Sequence, residues 1–268
     1  MKIRRCRITA LMLSAALLLG GCGSTAASGG NSGNNSAGTD VTKDKTKDAA
    51  DKTKKAPEIE GLTYESTMDL TYATEFDVYY YKDGYKLIDV HEDKQYLIVP
   101  EGEEEPENLA DDIVVIQQPT DKTYVASDVI LDKLEQLGAL NQVKAVASEE
   151  KDCTNEIIKN ALKDKSVDSI GKYDEPDYKK LIKDECNLTV MDTEILPKED
   201  SETQETLEDQ LNTMKEILSK YDTLNIPVFI DRSIDEEDEL AQAEWLKVYG
   251  AIFGCEDKAE AIYAELTK

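Results

Sequence analysis

From Ile113 to Val146 short apolar runs alternate with one helical stripe. Ile113-Val114-Val115-Ile116 is apolar throughout, and a polar loop leads past Pro119 to Tyr124. From Ser127 onward, Ile130, Leu131, Leu134 and Leu137 recur at the spacing of one helix face. Ser127 is placed to cap this helix and Gly138 to end it. Val143 and Val146 then mark a second strand. Strand, helix, strand is the order of a βαβ unit in a parallel sheet, whose ligands gather beyond the carboxyl ends of the strands. The loop holding Tyr124 and Ser127 is therefore a candidate binding rim.

Upstream, Leu62 to Pro100 reads as antiparallel strands. Tyr72, Phe76, Val78 and Tyr80 alternate, Asp83-Gly84 is a hairpin turn, and Tyr85 to Val90 and Tyr96 to Val99 form return strands. The row Tyr79-Tyr80-Tyr81 offers aromatic surface, but alternation splits it between two faces and predicts ordinary sheet packing. Downstream, helices are expected over Asn155–Lys163, from Pro176 as the first helical residue, and over Glu202–Tyr221. Strands are expected at Val167–Ile170, Asn187–Met191 and Ile226–Ile230. Ser233 with Glu236 has the spacing of a capping box, and Ala241, Trp245, Val248, Tyr249 and Ile252 form the buried face of the helix it would open. Gly254 breaks that helix, and a last one runs from Glu256 with a stripe of Ala259, Ile262, Tyr263 and Leu266. The predicted fold class is α/β: a mainly parallel sheet flanked by helices, with an antiparallel β-hairpin region on its N-terminal side.

The amino end changes the picture of compartment. Lys2, Arg4, Arg5 and Arg7 precede an apolar stretch, Ile8 to Leu19, too short to span a bilayer as a mature helix. Leu19-Gly20-Gly21-Cys22 resembles a bacterial lipobox, which predicts a signal peptide over 1–22, a lipid anchor on Cys22 and a place on the outer face of the cytoplasmic membrane of a Gram-positive bacterium. Residues 23–57 are Gly, Ser, Asn, Thr, Asp and Lys with few large apolar side chains, the composition of a disordered tether. Folded structure is expected from Glu58.

Charge and chemistry exclude several functions. The net charge is −26, and removing the four basic residues before Cys22 lowers it to −30. That argues against nucleic acid and against electrostatic attachment to anionic lipid, and suits a soluble exported domain. Beyond Cys22 there remain Cys153, Cys186 and Cys255, with no metal-binding spacing. The single histidine, His91, lies among Asp89, Glu92 and Asp93 and reads as a solvated strand residue. Phosphate-cradling glycine motifs and a nucleophile elbow are absent, and no activated nucleophile, metal cluster or cofactor site can be named, so an enzyme is not expected.

Several segments in order carry a family resemblance: Gln118-Pro119, Tyr124-Val125-Ala126-Ser127, Leu137-Gly138-Ala139-Leu140, Ile170-Gly171-Lys172-Tyr173, and Ile226 to Ser233 followed by Glu244 to Gly250. Together with the lipobox they resemble the substrate-binding lipoproteins of iron-siderophore and cobalamin ABC importers. The resemblance covers Thr71 to Lys268. It implies one α/β lobe over 58–255, the start of an interlobe helix over 256–268, and a second lobe not present in this sequence. It implies a ligand, either an iron chelate (ferric siderophore or haem) or cobalamin, and permease and ATPase partners. Carried over, the rim would be Tyr124, Ser127, Tyr173, Thr193, Glu194 and Arg232. Arg232 would pair an anionic group of the ligand or serve as a structural partner of Asp231 or Glu236. Tyr173 would stack on the ligand or cover the core. The family often docks its permease through a glutamate where this chain has Lys179, and Glu175 is the nearby substitute. The stretch Pro197–Asp222 is longer than expected for a strand-to-strand connection. A single-lobe surface interaction protein without a transport role is the alternative.

Overall fold

The computed structural model describes residues 55–91, 93–197 and 204–268, with backbone only for 204–206. The assignments of a signal peptide, of lipidated Cys22 and of most of the tether lie outside these residues. Packing begins slightly ahead of Glu58: Ala56 lies against a hydrophobic cluster, and the Tyr81 hydroxyl donates to the Pro57 carbonyl at 2.6 Å.

The described strands form two five-stranded sheets. The first is mixed. It contains β1 (Tyr64–Thr67), β2 (Phe76–Tyr81), β3 (Lys86–Val90), β4 (Gln95–Val99) and β5 (Ile113–Gln117), in that spatial order. Neighbours run antiparallel from β1 to β4, while β5 runs parallel to β4. The β2–β3 reversal uses Asp83 and Gly84, both at positive φ (62° and 84°), the conformation for which an Asp-Gly pair is suited. Tyr79 and Tyr81 face one hydrophobic cluster and Tyr80 faces another, as the alternation required.

The second sheet is wholly parallel. It contains β6 (Thr123–Val125), β7 (Val143–Val146), β8 (Asp168–Ser169), β9 (Leu188–Asp192) and β10 (Val228–Asp231), in the order β10-β9-β6-β7-β8. Helices α1 (Asp128–Leu137), α2 (Glu156–Asp164), α3 (Tyr178–Lys183) and α4 (Gln204–Thr223) lie between its strands in sequence. α5 (Glu239–Glu244), α6 (Leu246–Phe253) and α7 (Glu256–Leu266) follow β10.

This arrangement corrects one reading of Ile113 to Val146. The strand Ile113–Gln117 pairs with β4 in the mixed sheet, so the parallel βαβ unit is β6, α1 and β7. An apolar run announces a strand but not its partner, and three residues of β6 are too few to show a period. Tyr124 consequently belongs to a strand and not to a loop. Two helix starts also differ, and a third cap is in its expected place but lacks its bond. Ser127 occupies the N-cap of α1 without a capping side-chain bond. The first residue of α3 is Tyr178, not Pro176, and Asp177 caps it, accepting from the N–H groups of Lys179 and Lys180. Asp238, not a Ser233–Glu236 box, caps α5.

Glu236 instead joins Glu244 in holding the two halves of the fold together. The Glu244 carboxylate is fully buried and accepts from the backbone N–H groups of Thr71, Tyr72 and Ala73 at 2.8–3.1 Å. Lys247, also buried, donates to it at 3.1 Å and so offsets its charge. Glu236 accepts from the N–H groups of Thr74 and Glu75 and from the Trp245 indole at 3.1 Å. Around this clasp the largest cluster draws on both sheets. Trp245 meets Phe76 edge-on at 5.0 Å, and Tyr96 meets Phe229 at 4.9 Å. Such aromatic pairs add about 0.5–1.5 kcal/mol each beyond the area they bury.

The apolar stripe of α7 is mostly covered. Ala259 and Tyr263 are buried and Ile262 lies against the main cluster, whereas Leu266 is 54% exposed. The close fit of α6 on α7 depends on Gly250, where a Cβ would stand 2.8 Å from that of Ala259. Among the described residues no helix is long and apolar enough to cross a membrane.

Candidate functional site

Because β6 to β10 all run in one direction, their carboxyl ends share an edge, and five loops emerge there. Two adjoining hollows open among these loops, of about 540 and about 650 Å3. Ser127, Asp192 and Glu194 line both, so the loops after β6 and β9 form their common wall.

The first hollow is apolar on one side. Val129, Ile234 and Leu266 line it and are 65%, 67% and 54% exposed, with Leu246 buried behind them. Its floor is a polar network. Lys133 donates to Asp231 Oδ2 at 2.5 Å and to Ser233 Oγ at 2.7 Å. The Tyr249 hydroxyl donates to the same Asp231 oxygen at 2.6 Å, and the Ser233 N–H donates to Asp231 Oδ1 at 2.7 Å. Burial pushes the Asp231 carboxyl up, but Lys133, Tyr249 and the Ser233 N–H together hold it below the usual carboxylate range. Tyr249 is buried and is driven the other way, well above the usual phenol value, by desolvation and then by Asp231.

The second hollow is polar, lined by Ser148, Ser169, Tyr173, Lys172 and Lys180 among others. The Tyr173 hydroxyl donates to the Glu194 carbonyl at 3.0 Å and so ties the loop after β8 to the loop after β9. Desolvation first, then the nearby Glu194, Asp174 and Asp192 carboxylates, raise the Tyr173 phenol.

The residues named from sequence therefore divide. Ser127 and Glu194 lie on the common wall, Thr193 lines the first hollow and Tyr173 the second. Tyr124 is fully buried in β6, its hydroxyl donating to the Gly171 carbonyl at 2.9 Å, and lines neither hollow. Arg232 sits in the loop after β10, but its Nε donates to Asp235 Oδ2 at 2.6 Å, a partner different from the two expected. It is directed toward the charges of Asp93 and Glu75 and also lines neither hollow. Tyr173 and Arg232 thus share the edge but not a cleft. Glu175 is exposed beside the second hollow without lining it.

Lys133, Asp192, Asp231 and Ile234 escaped the sequence reading. The two aspartates had a usable signal: each is the first charged residue after an apolar strand run. Lys133 had none, since its place depends on how α1 crosses β10. His91 bridges Asp77 Oδ2 at 2.9 Å and the Thr74 carbonyl at 2.7 Å and serves the mixed sheet. Cys153 and Cys186 are buried and Cys255 partly so, all three as free thiols, and burial pushes Cys186 up to about 12. Among the described residues no group of three His, Cys, Asp or Glu side chains is arranged to hold a metal ion.

No protein-family model matches the chain, and no curated protein matches it. Solved structures do. A periplasmic binding protein from Veillonella parvula is 18% identical, with 54% of this chain and 43% of that one covered and a TM-score of 0.37. A periplasmic heme binding protein from Pseudomonas aeruginosa is 14% identical, with 55% and 43% covered and a TM-score of 0.38. The periplasmic catecholate-siderophore binding protein VctP from Vibrio cholerae is 15% identical, with 54% and 43% covered and a TM-score of 0.36. The chain spans less than half the length of each, and at such identities and scores none of them carries a function over to it.

Proposed function

We propose that this chain is a solute-binding component of an ABC importer for an iron chelate or cobalamin, and that the ligand sits at the carboxyl edge of the parallel sheet. One observation supports this reading above the others: loops after all five parallel strands line two adjoining hollows with a common wall. An edge of this kind is where open parallel sheets take ligands, and recognition groups from several loops can converge there while the strands stay rigid. Ser127, Thr193, Glu194 and Tyr173 are the recognition groups in this proposal. The lipobox-like Leu19–Cys22 supports a lipid-anchored position beside a permease and its ATPase, with exposed Glu175 as a docking contact.

Calorimetric titration of the chain lacking residues 1–22 with a ferric tris-hydroxamate, haem and cyanocobalamin tests the ligand. Saturable one-to-one binding of any of them, weakened by Tyr173→Ala, is the expected result. Absence of binding to all three, with a protein partner captured at the same edge, would instead favour the single-lobe surface interaction protein. The anchor is tested separately: Cys22→Ala should release the protein from the membrane fraction or block its maturation, and unchanged retention with normal processing would refute the anchor.

A further inference from the structure

The charges at the edge restrict the ligand further. Asp192, Glu194 and Glu239 line the first hollow, and none is in an ion pair with a lysine or arginine among the described residues. The cations nearby are already engaged. Arg232, the only arginine after Arg7, is held by Asp235 outside both hollows. Lys133 is consumed by Asp231 and Ser233, Lys151 is paired with Glu149 at 3.1 Å, and Lys180 donates to the Ser169 carbonyl at 2.9 Å. Exposed Lys172 remains, in the second hollow, against Asp177, Asp152 and Glu149 on the same lining. An anion approaching this edge meets a surplus of carboxylates, which Lys172 and Lys180 in the second hollow offset only in part. The same hollow carries Val129, Ile234 and Leu266 exposed to water, and these gain by being covered with apolar surface.

Resting on the binding-protein reading, we infer that the ligand is amphipathic and carries no net negative charge. Its apolar part lies on Val129, Ile234 and Leu266, and its neutral or cationic part lies over Asp192, Glu194 and Glu239. Among the ligands of that reading this favours hydroxamate-type ferric chelates and cobalamin over haem, whose propionates are anionic, and over catecholate chelates. Three hydroxamates neutralise Fe3+, whereas three catecholates leave the complex with three negative charges.

The test is a titration of the full folded chain with three ferric complexes of similar size: a neutral tris-hydroxamate, the same with one free ammonium, and a tris-catecholate. The first two should bind at least tenfold more tightly than the third. The advantage of the ammonium form should shrink as salt rises, because the carboxylates act through a screened field. A catecholate that binds as tightly as the others overturns the inference while leaving the importer reading standing. Failure of all three, and of haem and cobalamin, overturns the importer reading and this inference with it. Two variants at exposed positions add independent checks without disturbing the core. Ile234→Ser should weaken the neutral complex about tenfold, and Glu194→Gln should narrow the gap between ammonium and catecholate forms. Wild-type affinities in both variants would put the ligand elsewhere and contradict the assignment.

Discussion

The carboxylates that join the two sheets and those on the exposed rim of the parallel sheet are treated in opposite ways. Beside the mixed sheet, carboxylates are buried and consumed: Glu244 and Glu236 between them accept from the backbone N–H groups of residues 71–75, from Lys247 and from the Trp245 indole. At the carboxyl edge of the parallel sheet, Glu194 and Glu239 are exposed, and apolar side chains stand in water next to them. A buried carboxylate must be fully satisfied or the fold loses stability, so such groups serve the structure. Side chains left uncommitted on a rigid frame are the ones a ligand can use. The difference separates residues that hold this protein together from residues proposed to recognise something.

Substitutions can break or sharpen this contrast. The largest effect is expected at Glu244→Ala, which strands three backbone N–H groups and leaves buried Lys247 with Glu260 as its one remaining carboxylate, at 3.0 Å. A loss of about 3–5 kcal/mol is expected, read as a fall in Tm and in the denaturant midpoint. Next is Gly250→Ala, where the new methyl would stand 2.8 Å from Ala259 Cβ and 3.1 Å from Glu256 Cα. Forcing α6 and α7 apart should cost about 1–3 kcal/mol. At the edge, Glu239→Ala and Ile234→Ser should each change stability by no more than about 0.5 kcal/mol. Glu239→Ala destabilising as much as Glu244→Ala would erase the distinction.

Acid should expose the network beneath the first hollow. Asp231 is held below the ordinary carboxylate range in the folded protein and returns to it on unfolding. Its stabilising contribution is therefore fully present above the unfolded carboxylate range and is lost as pH falls through the lower, folded value. Denaturant titrations across acid pH should show this loss in the wild type. In Asp231→Asn that part of the pH dependence should be absent, with lower stability near neutral pH because Lys133 keeps no counter-charge.

Much of the architecture was legible in the sequence because period and punctuation agree there. Asp83-Gly84 marked its hairpin, Gly138 and Gly254 ended their helices in left-handed conformations, and the alternation split the three tyrosines correctly. What was not legible depends on long-range pairing. Ile113–Gln117 could not announce that it joins β4, and Glu236 looked like a local cap because nothing nearby in sequence shows that Thr74 and Trp245 need it. The site divided for the same reason. Ser127, Thr193, Glu194 and Tyr173 follow from knowing where strands end, but Tyr124 required the exact end of β6 and Arg232 the direction of one side chain.

Hydrogen exchange of the chain with and without a saturating neutral ferric tris-hydroxamate tests the central claim most directly, since it reports where the ligand sits. Binding at the edge predicts protection in the loops after the parallel strands, near 126–129, 171–173, 192–195 and 231–235, with the β2–β3 hairpin unchanged. Protection confined to the mixed sheet, with those loops unaffected, would contradict it.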